Sequence, residues 1–345
     1  MSKKFDVVIG NPPYQEEAQG GGTRDTPVYH LFMDAAYKVG KKAVLITPAR
    51  FLFNAGFTPK AWNEKMLADP HLSVPLYVPD SDELFPGTDI KGGIAVTYRD
   101  EGLDGEPIGT FTKYPELNQI LQKVVESGMA SLERVGITSS RSYRYTDKLY
   151  EDHPEARALR PEGNAALVNT NTFEQFSFLY HTDMPADGDE YVRVLGLIKN
   201  KRVSRWVRSE YIIGPESYGK FKVVLPAANG SGTLGEVLST PVVVGPQVAV
   251  TQTFITIGCF DDEATADACL KYIKSKFVRT LLGVLKITQH NPAKVWKYVP
   301  LQDFTASSDI VWSEEIPQID QQLYAKYGLD SQEIAFIEGK VKPME

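Results

Sequence analysis

An α/β sheet layer followed by an α+β region is the fold class this sequence predicts, on three observations. Across residues 1–100, short continuous apolar runs alternate with segments of helical periodicity, the pattern of strands joined by helices in a largely parallel sheet. From about residue 130 to 300 the apolar segments become short, numerous and rich in β-branched residues. One long helical pattern at 261–285 and two short ones at the C-terminus then close the chain.

Each element follows in order. FDVVIG (5–10) predicts a buried strand that runs into Asn-Pro-Pro, and PVYHLFMDAAYKVG (27–40) a helix stopped by glycine. KAVLITP (42–48) is a second buried strand, PKAWNEKML (59–67) a helix, and HLSVPLYV (71–78) and GGIAVTYRD (92–100) two strands with no helix between them. That last pair is therefore expected to be antiparallel. PELNQILQKVVESG (115–128) is helical and leads away from the sheet. YVRVLGLI, RWVRSEYIIG, KFKVVLP, PVVVGPQVAV and TQTFITIGCF supply the later strands. The stretch 261–285 reads as one helix capped by Asp261, and Gly328 and Asp330 separate the two terminal helices. Three segments result: 1–112, 113–305 and a helical tail, 306–345.

Composition excludes several classes of protein. No run of about 18 apolar residues crosses a membrane. Two cysteines, Cys259 and Cys269, make no disulfide framework, and five scattered histidines show no metal-ligand spacing. These point to a cytoplasmic, metal-free protein. The net charge of −7 argues against a polyanionic partner, but its distribution argues for one. Residues 191–222 hold eight Lys/Arg against Glu210 and Glu216, and residues 271–297 hold seven with no acid. Either these are solvated faces or they form a positive field on an acidic body. On the second reading Arg202, Arg205, Arg208, Lys276 and Arg279 are candidates for phosphate contacts, and the stretch 286–297, with Gln289, His290 and Asn291, is a polar loop that could reach bases or phosphates.

Chemistry is concentrated in Asn11-Pro12-Pro13-Tyr14. Two consecutive prolines force the chain out of the sheet as a rigid extended corner and leave backbone carbonyls without a neighbouring N–H. At the carboxyl end of a parallel strand, such a corner faces the crevice where α/β proteins bind ligands. An amide, a free carbonyl and an aromatic face together suit a planar amine. Its N–H groups can donate to the Asn11 side-chain oxygen and the Pro12 carbonyl, while Tyr14 stacks on the ring. Catalysis by such a site would rest on orientation and electrostatics, with no covalent intermediate and no metal.

DVVIGNPPYQ resembles motif IV of the gamma-class adenine-specific DNA methyltransferases of restriction–modification systems. PVYHLFMDAAYKVGKKAVLITPARFLFNAGF is similar to the helix–strand unit after that motif, and DSDELFPGTDIKGGIAVTY to motif VIII. Long phrases from YVRVLGLIKNKRVSRWV to QIDQQLYAKYGLDSQEIAFIE resemble the TaqI-like specificity domain. The resemblance implies a partial Rossmann-like methyltransferase sheet, its later strands only, followed by an α+β DNA-recognition domain. It also implies methyl transfer from S-adenosylmethionine to the 6-amino group of an adenine flipped out of double-stranded DNA, with Phe85 as a second stacking residue; by its residues alone Phe85 is as readily a core phenylalanine. Gly92-Gly93 permits a close backbone approach to substrate or marks a bulge.

The family places a glycine-turn strand that holds the cofactor before motif IV, yet only ten residues precede Asn11 here. NGSGTLGE (229–236) and IGCFDD (257–262) are no substitute, since neither lies in a βα unit with an acid about 20 residues on. The strand at 5–9 is then expected to be an uncovered edge unless a companion chain, carrying the cofactor-binding half, completes the sheet. A truncated remnant and a rearrangement that covers the edge are the other possibilities. Two further readings stand beside the leading one: a DNA-recognition protein that has lost catalysis, and a glutamine methylase acting on protein, against which the basic C-terminal half counts. The hydrophilic loop 15–25 is expected to be a surface loop that could order on substrate.

Overall fold

The computed structural model describes residues 4–16, 26–54, 57–90, 92–159, 163–164, 166–286 and 288–344. They fall into two compact units, 1–118 and 119–345. The last segment, 306–345, shares the core of the second unit rather than standing apart as a tail: Ile319, Leu323, Tyr324 and Ile337 are all buried there.

In the first unit, β1 (Phe5–Gly10) is followed by two short strands, β2 (Gln15–Glu16) and β3 (Thr26–Pro27), that pair with each other. Next come α1 (Tyr29–Val39), β4 (Gly40–Pro48), α2 (Lys60–Leu67), β5 (Leu72–Val78) and β6 (Ile94–Asp100). Helix α1 buries Tyr29, Met33, Ala36 and Tyr37, the i, i+4, i+7, i+8 stripe of an amphipathic helix. It ends as Gly40 enters β4 against β1, where a Cβ would lie 2.7 Å from a methyl of Val8. The sheet order is β1-β4-β6-β5. Of the neighbouring pairs only β1–β4 is parallel, whereas β4–β6 and β6–β5 are antiparallel. By direction β1, β4 and β5 run the same way and β6 runs against them, as expected of the last pair. The expectation is corrected in the pairing, because β6 is inserted between β4 and β5 and leaves β1–β4 as the one parallel ladder of this sheet. A parallel return needs a crossover helix, and the link from β5 to β6 holds only a short 3-10 turn, Ser81–Glu83.

One face of this sheet is packed. Val8, Ala43, Leu45 and Ala95 meet the inner sides of α1 and α2 around Phe51 and Trp62. On the other face Val7, Ile9 and Leu76 are 48%, 77% and 47% exposed. FDVVIG is therefore an edge strand, not a buried one: β4 pairs with one side of it, and no strand among the described residues pairs with the other. Gly93, held at φ +75, has a reason in packing, since a Cβ there would come within 2.3 Å of the Val78 carbonyl. Residues 17–25 of the expected surface loop lie outside the described residues.

The second unit begins with α3 (Pro115–Glu126), whose Ile120 and Val124 enter its larger core. Then follow β7 (Arg144–Tyr145), α4 (Asp147–Asp152) and α5 (Thr172–Gln175). A hairpin of β8 (Tyr191–Ile198) and β9 (Lys201–Arg208) leads to β10 (Ile212–Ile213), β11 (Phe221–Pro226), β12 (Val242–Val244), β13 (Val248–Val250) and β14 (Phe254–Phe260). Two three-stranded sheets result, β13-β8-β9 and β12-β11-β14. The expected helix over 261–285 is two, α6 (Glu263–Lys274) and α7 (Lys276–Leu285). Asp262, not Asp261, caps the first by accepting from the Thr265 N–H at 2.8 Å. Ser275 leaves helical geometry and caps the second through the Val278 N–H. Asp320 strengthens that second start by accepting from the Lys276 and Phe277 N–H groups. Helices α8 (Ile316–Lys326) and α9 (Ser331–Lys340) end the unit, the latter opened by an Asp330/Glu333 capping box.

Candidate active site

The diproline corner leaves β1 at its carboxyl end, beside Pro48 at the carboxyl end of β4. Both strands run the same way there, with Gly10 paired to Leu45. Asn11 and Pro13 are exposed, and Pro12 and Tyr14 are half-buried. The corner is anchored again at its far end, where the Val28 N–H donates to the Tyr14 carbonyl at 3.1 Å. Among the described residues the Pro12 carbonyl has no hydrogen-bond partner.

Tyr14 borders a cavity of about 280 Å³ together with Gln15, Pro27, Tyr29, Arg50, Phe57 and Asp89. Burial raises the pKa of the Tyr14 phenol, and the neighbouring Asn11 amide opposes that shift. Tyr14 therefore stays neutral at physiological pH, with its ring on the cavity wall. Behind it Tyr29 is almost fully enclosed, and burial lifts its phenol to about 12. Edge-on contacts of Tyr29 and Phe51 with Trp62 fix that wall. The Trp62 indole N–H in turn donates to Asp34 at 3.2 Å. A space near the small end of ligand pockets, walled by tyrosine rings and holding one cationic and one anionic side chain, suits a flat heterocycle.

Phe85 is half-buried on a tight turn, its N–H donating to the Ser81 carbonyl at 2.8 Å. It does not border the cavity; its loop reaches that space through Asp89 and Ile90. Phe57, 62% exposed, does border it. Sequence reasoning missed Phe57, Tyr29 and Arg50 as site residues. Arg50 had a signal, its position just after the Pro48 that ends β4, and Tyr29 passed for an ordinary core position of α1. Phe57 lies in a loop without periodicity, and only the fold brings it near Tyr14.

The basic candidates separate sharply. Arg279 is 2% exposed, and its guanidinium donates to the Lys274 and Lys342 carbonyls; burial lowers its pKa to about 10. Lys276 pairs with Glu338. Both were expected on a DNA-facing surface; α7 is buried on nearly all sides, which encloses Arg279, and both side chains tie α7 to the chain's end. Arg208 pairs with Asp189 and Glu210, and Arg202 donates to the Thr240 carbonyl and lies 5.3 Å from the Phe254 ring centroid. Arg205 donates to the neighbouring Ser204 carbonyl, and no acid among the described residues pairs with it. In the polar stretch 286–297, Lys286 and Asn291 are buried, Lys286 against Glu236 at 2.6 Å and Asn291 against the Pro226 carbonyl; Gln289 and His290 remain exposed.

The glycines of 229–236 have a structural use. They let the Ser231 and Gly232 N–H groups converge on the Glu236 carboxylate, which occupies the place an anionic ligand would need. A nucleoside cofactor does not fit there, and no other glycine-rich turn lies between a strand and a helix among the described residues. No group of three or more metal-ligating side chains occurs among the described residues, and no described helix is long and apolar enough to cross a membrane.

Residues 1–85 match the family described as Eco57I restriction-modification methylase. The chain is also similar to an uncharacterized adenine-specific methylase of Mycoplasma pneumoniae (strain ATCC 29342 / M129 / Subtype 1), 33% identical over 95 residues. That match covers 26% of this chain and 22% of the relative's length. Among solved structures, the type IIG restriction endonuclease BpuSI aligns with 97% of this chain and 53% of its own at 10% identity and a TM-score of 0.31. The type IIL restriction-modification enzyme MmeI, solved in complex with DNA, aligns with 97% and 56% at 10% identity and a TM-score of 0.30. The match over residues 1–85 supports a methyltransferase role of the restriction–modification type.

Proposed function

We propose that this chain is the base-holding and DNA-recognition half of a site-specific adenine methyltransferase, one that works with a companion chain to bind S-adenosylmethionine. The observation that carries the reading is the exposed Asn11-Pro12-Pro13-Tyr14 corner, with the tyrosine ring on a cavity of purine size. A flipped adenine entering that cavity stacks on Tyr14, with Phe57 at the same cavity in the role first expected of Phe85. Its 6-amino group donates to the Asn11 side-chain oxygen and to the Pro12 carbonyl. Two acceptors in that arrangement draw both N–H bonds toward the corner and turn the nitrogen lone pair away from the ring. The amine thereby becomes a nucleophile of fixed direction. Extruding the base costs a few kcal/mol, which stacking at about 1–3 kcal/mol per aromatic contact offsets.

S-adenosylmethionine supplies the electrophilic methyl group when bound. The described residues of this chain do not build its site. The bare edge of β1 and the exposed Val7 and Ile9 beside it are where a companion's strands would join.

Co-expression with candidate companion chains, followed by mass-spectrometric measurement of N6-methyladenine in the host DNA, tests the reading. Methylation is expected with a companion, and Asn11→Ala is expected to lower it by about 10²–10³-fold, the scale for one preorganised polar group. Undiminished methylation by that variant would remove Asn11 from the mechanism. DNA binding without methylation under any pairing would favour a recognition protein that has lost catalysis.

A further inference from the structure

The basic residues of the second unit are not equivalent once folded. Lys220 pairs with Asp261, Lys276 with Glu338, Lys286 with Glu236, and Arg208 with Asp189 and Glu210. Lys222 and Arg279 are enclosed. Exposed cations with no acid partner among the described residues remain on the β8–β9 hairpin and, farther along the chain, at Lys294 and Lys297. Among the described residues no acid lies within ion-pair distance of Arg193, Lys199, Lys201 or Arg205. The hairpin is electrically polarised along its length: Asp187, Asp189 and Glu210 surround Arg208 and Tyr191 at its root, while Lys199 and Lys201 stand exposed at its tip.

The tip has a second distinguishing feature. Ile198 pairs with Lys201, so Lys199 and Asn200 form a two-residue turn, and both have positive φ, at 49° and 61°. Turns of this geometry favour Asn or Gly. Asn200 fits, but a lysine in the left-handed region is disfavoured by its Cβ. A glycine would make the same turn without strain. The position instead carries a long cation, and strain of this kind collects where a side chain has a task. Farther down, the Arg193 guanidinium lies 5.8 Å from the Trp206 ring centroid, on the same face of the ribbon.

We propose that the β8–β9 hairpin is the DNA-contacting ribbon of this chain, its tip seated in a groove with Lys199 and Lys201 on phosphates and with Arg193 and Arg205 along its shaft. Beyond Leu195, where the pairing of β13 with β8 ends, the hairpin is two-stranded, and a two-stranded ribbon is an element the major groove admits. The proposal rests on the reading of the chain as a DNA methyltransferase half and assigns its contact surface, moving it from the helix positions Lys276 and Arg279 to the hairpin tip.

The test is fluorescence-anisotropy binding of the full chain to mixed-sequence duplex DNA across salt concentrations. Lys199→Glu with Lys201→Glu is expected to weaken binding at least tenfold and to make the slope of log affinity against log salt shallower by about 2, near 0.9 for each phosphate no longer neutralised. Lys199→Gly separates charge from folding, because glycine adopts this turn freely. It is expected to unfold at or above the wild-type temperature and still bind more weakly. Wild-type affinity and slope in the double variant would overturn the ribbon while leaving the DNA reading intact. Absence of any binding by the unaltered chain would overturn both.

Discussion

At the scale of single residues, the corner offers the Pro12 carbonyl, which has no partner among the described residues, and a tyrosine on the cavity wall. Phe57 borders the cavity and Phe85 does not, and as stacking partners the two are separable. With a methylating pair in hand, Phe57→Ala should raise KM for DNA in proportion to a loss of about 1–3 kcal/mol of stacking, and Phe85→Ala should not. The opposite ranking, read from steady-state kinetics, would return the role to Phe85. Glu236 can be tested at the same scale. Burial alone would raise its pKa, but the Lys286 ammonium and the Ser231 and Gly232 N–H groups outweigh it and hold the carboxyl at about 2, below the usual 4.5. A depressed carboxyl stabilises the fold above its ordinary pKa and loses that contribution as pH falls through the folded value. Stability should therefore drop between about pH 4.5 and 2, by something on the order of 2–3 kcal/mol from this group. Glu236→Gln should flatten that part of the curve in chemical denaturation, and an unchanged acid limb would contradict the assignment.

At the scale of elements, β1 and the break between α6 and α7 show where local pattern and tertiary setting part. FDVVIG reads as a buried strand because it is uniformly apolar, yet its outward residues face no described neighbour. Ile9→Lys should leave thermal stability of the isolated chain within about 0.5 kcal/mol, the scale for exposed positions. It should also weaken association with the companion, as measured by sedimentation. A large loss of stability would mean that β1 is covered in solution by the chain itself. At Ser275 the apolar period runs on unbroken from one helix to the next. What ends the first helix is a serine that caps the second, helped by Asp320 from a distant helix, a contact no local window contains.

At the scale of the whole molecule, net charge misleads. The chain is acidic overall at −7, and several of the basic residues that reverse the sign locally are tied up in internal pairs or enclosed, among them Lys220, Lys276, Lys286 and Arg279. The β8–β9 hairpin keeps exposed cations without an acid partner among the described residues. Binding to duplex DNA should accordingly fall steeply between about 50 and 200 mM salt, since released counterions drive it. Salt-independent binding would point to a surface other than the hairpin.

The sequence by itself determined the strand–helix order of the first unit, the antiparallel β5–β6 pair, the diproline corner at the end of β1, and the two capped terminal helices. These rest on periodicity, proline stereochemistry and capping, which act over a few neighbouring residues. Only the tertiary structure decided that β1 is an edge, that β6 lies between β4 and β5, that Phe57 borders the cavity of Tyr14 and Phe85 does not, and that Arg279 is enclosed while Lys199 is exposed. Those outcomes depend on which distant segments meet, and burial and ion pairing are properties of the meeting, not of either segment alone.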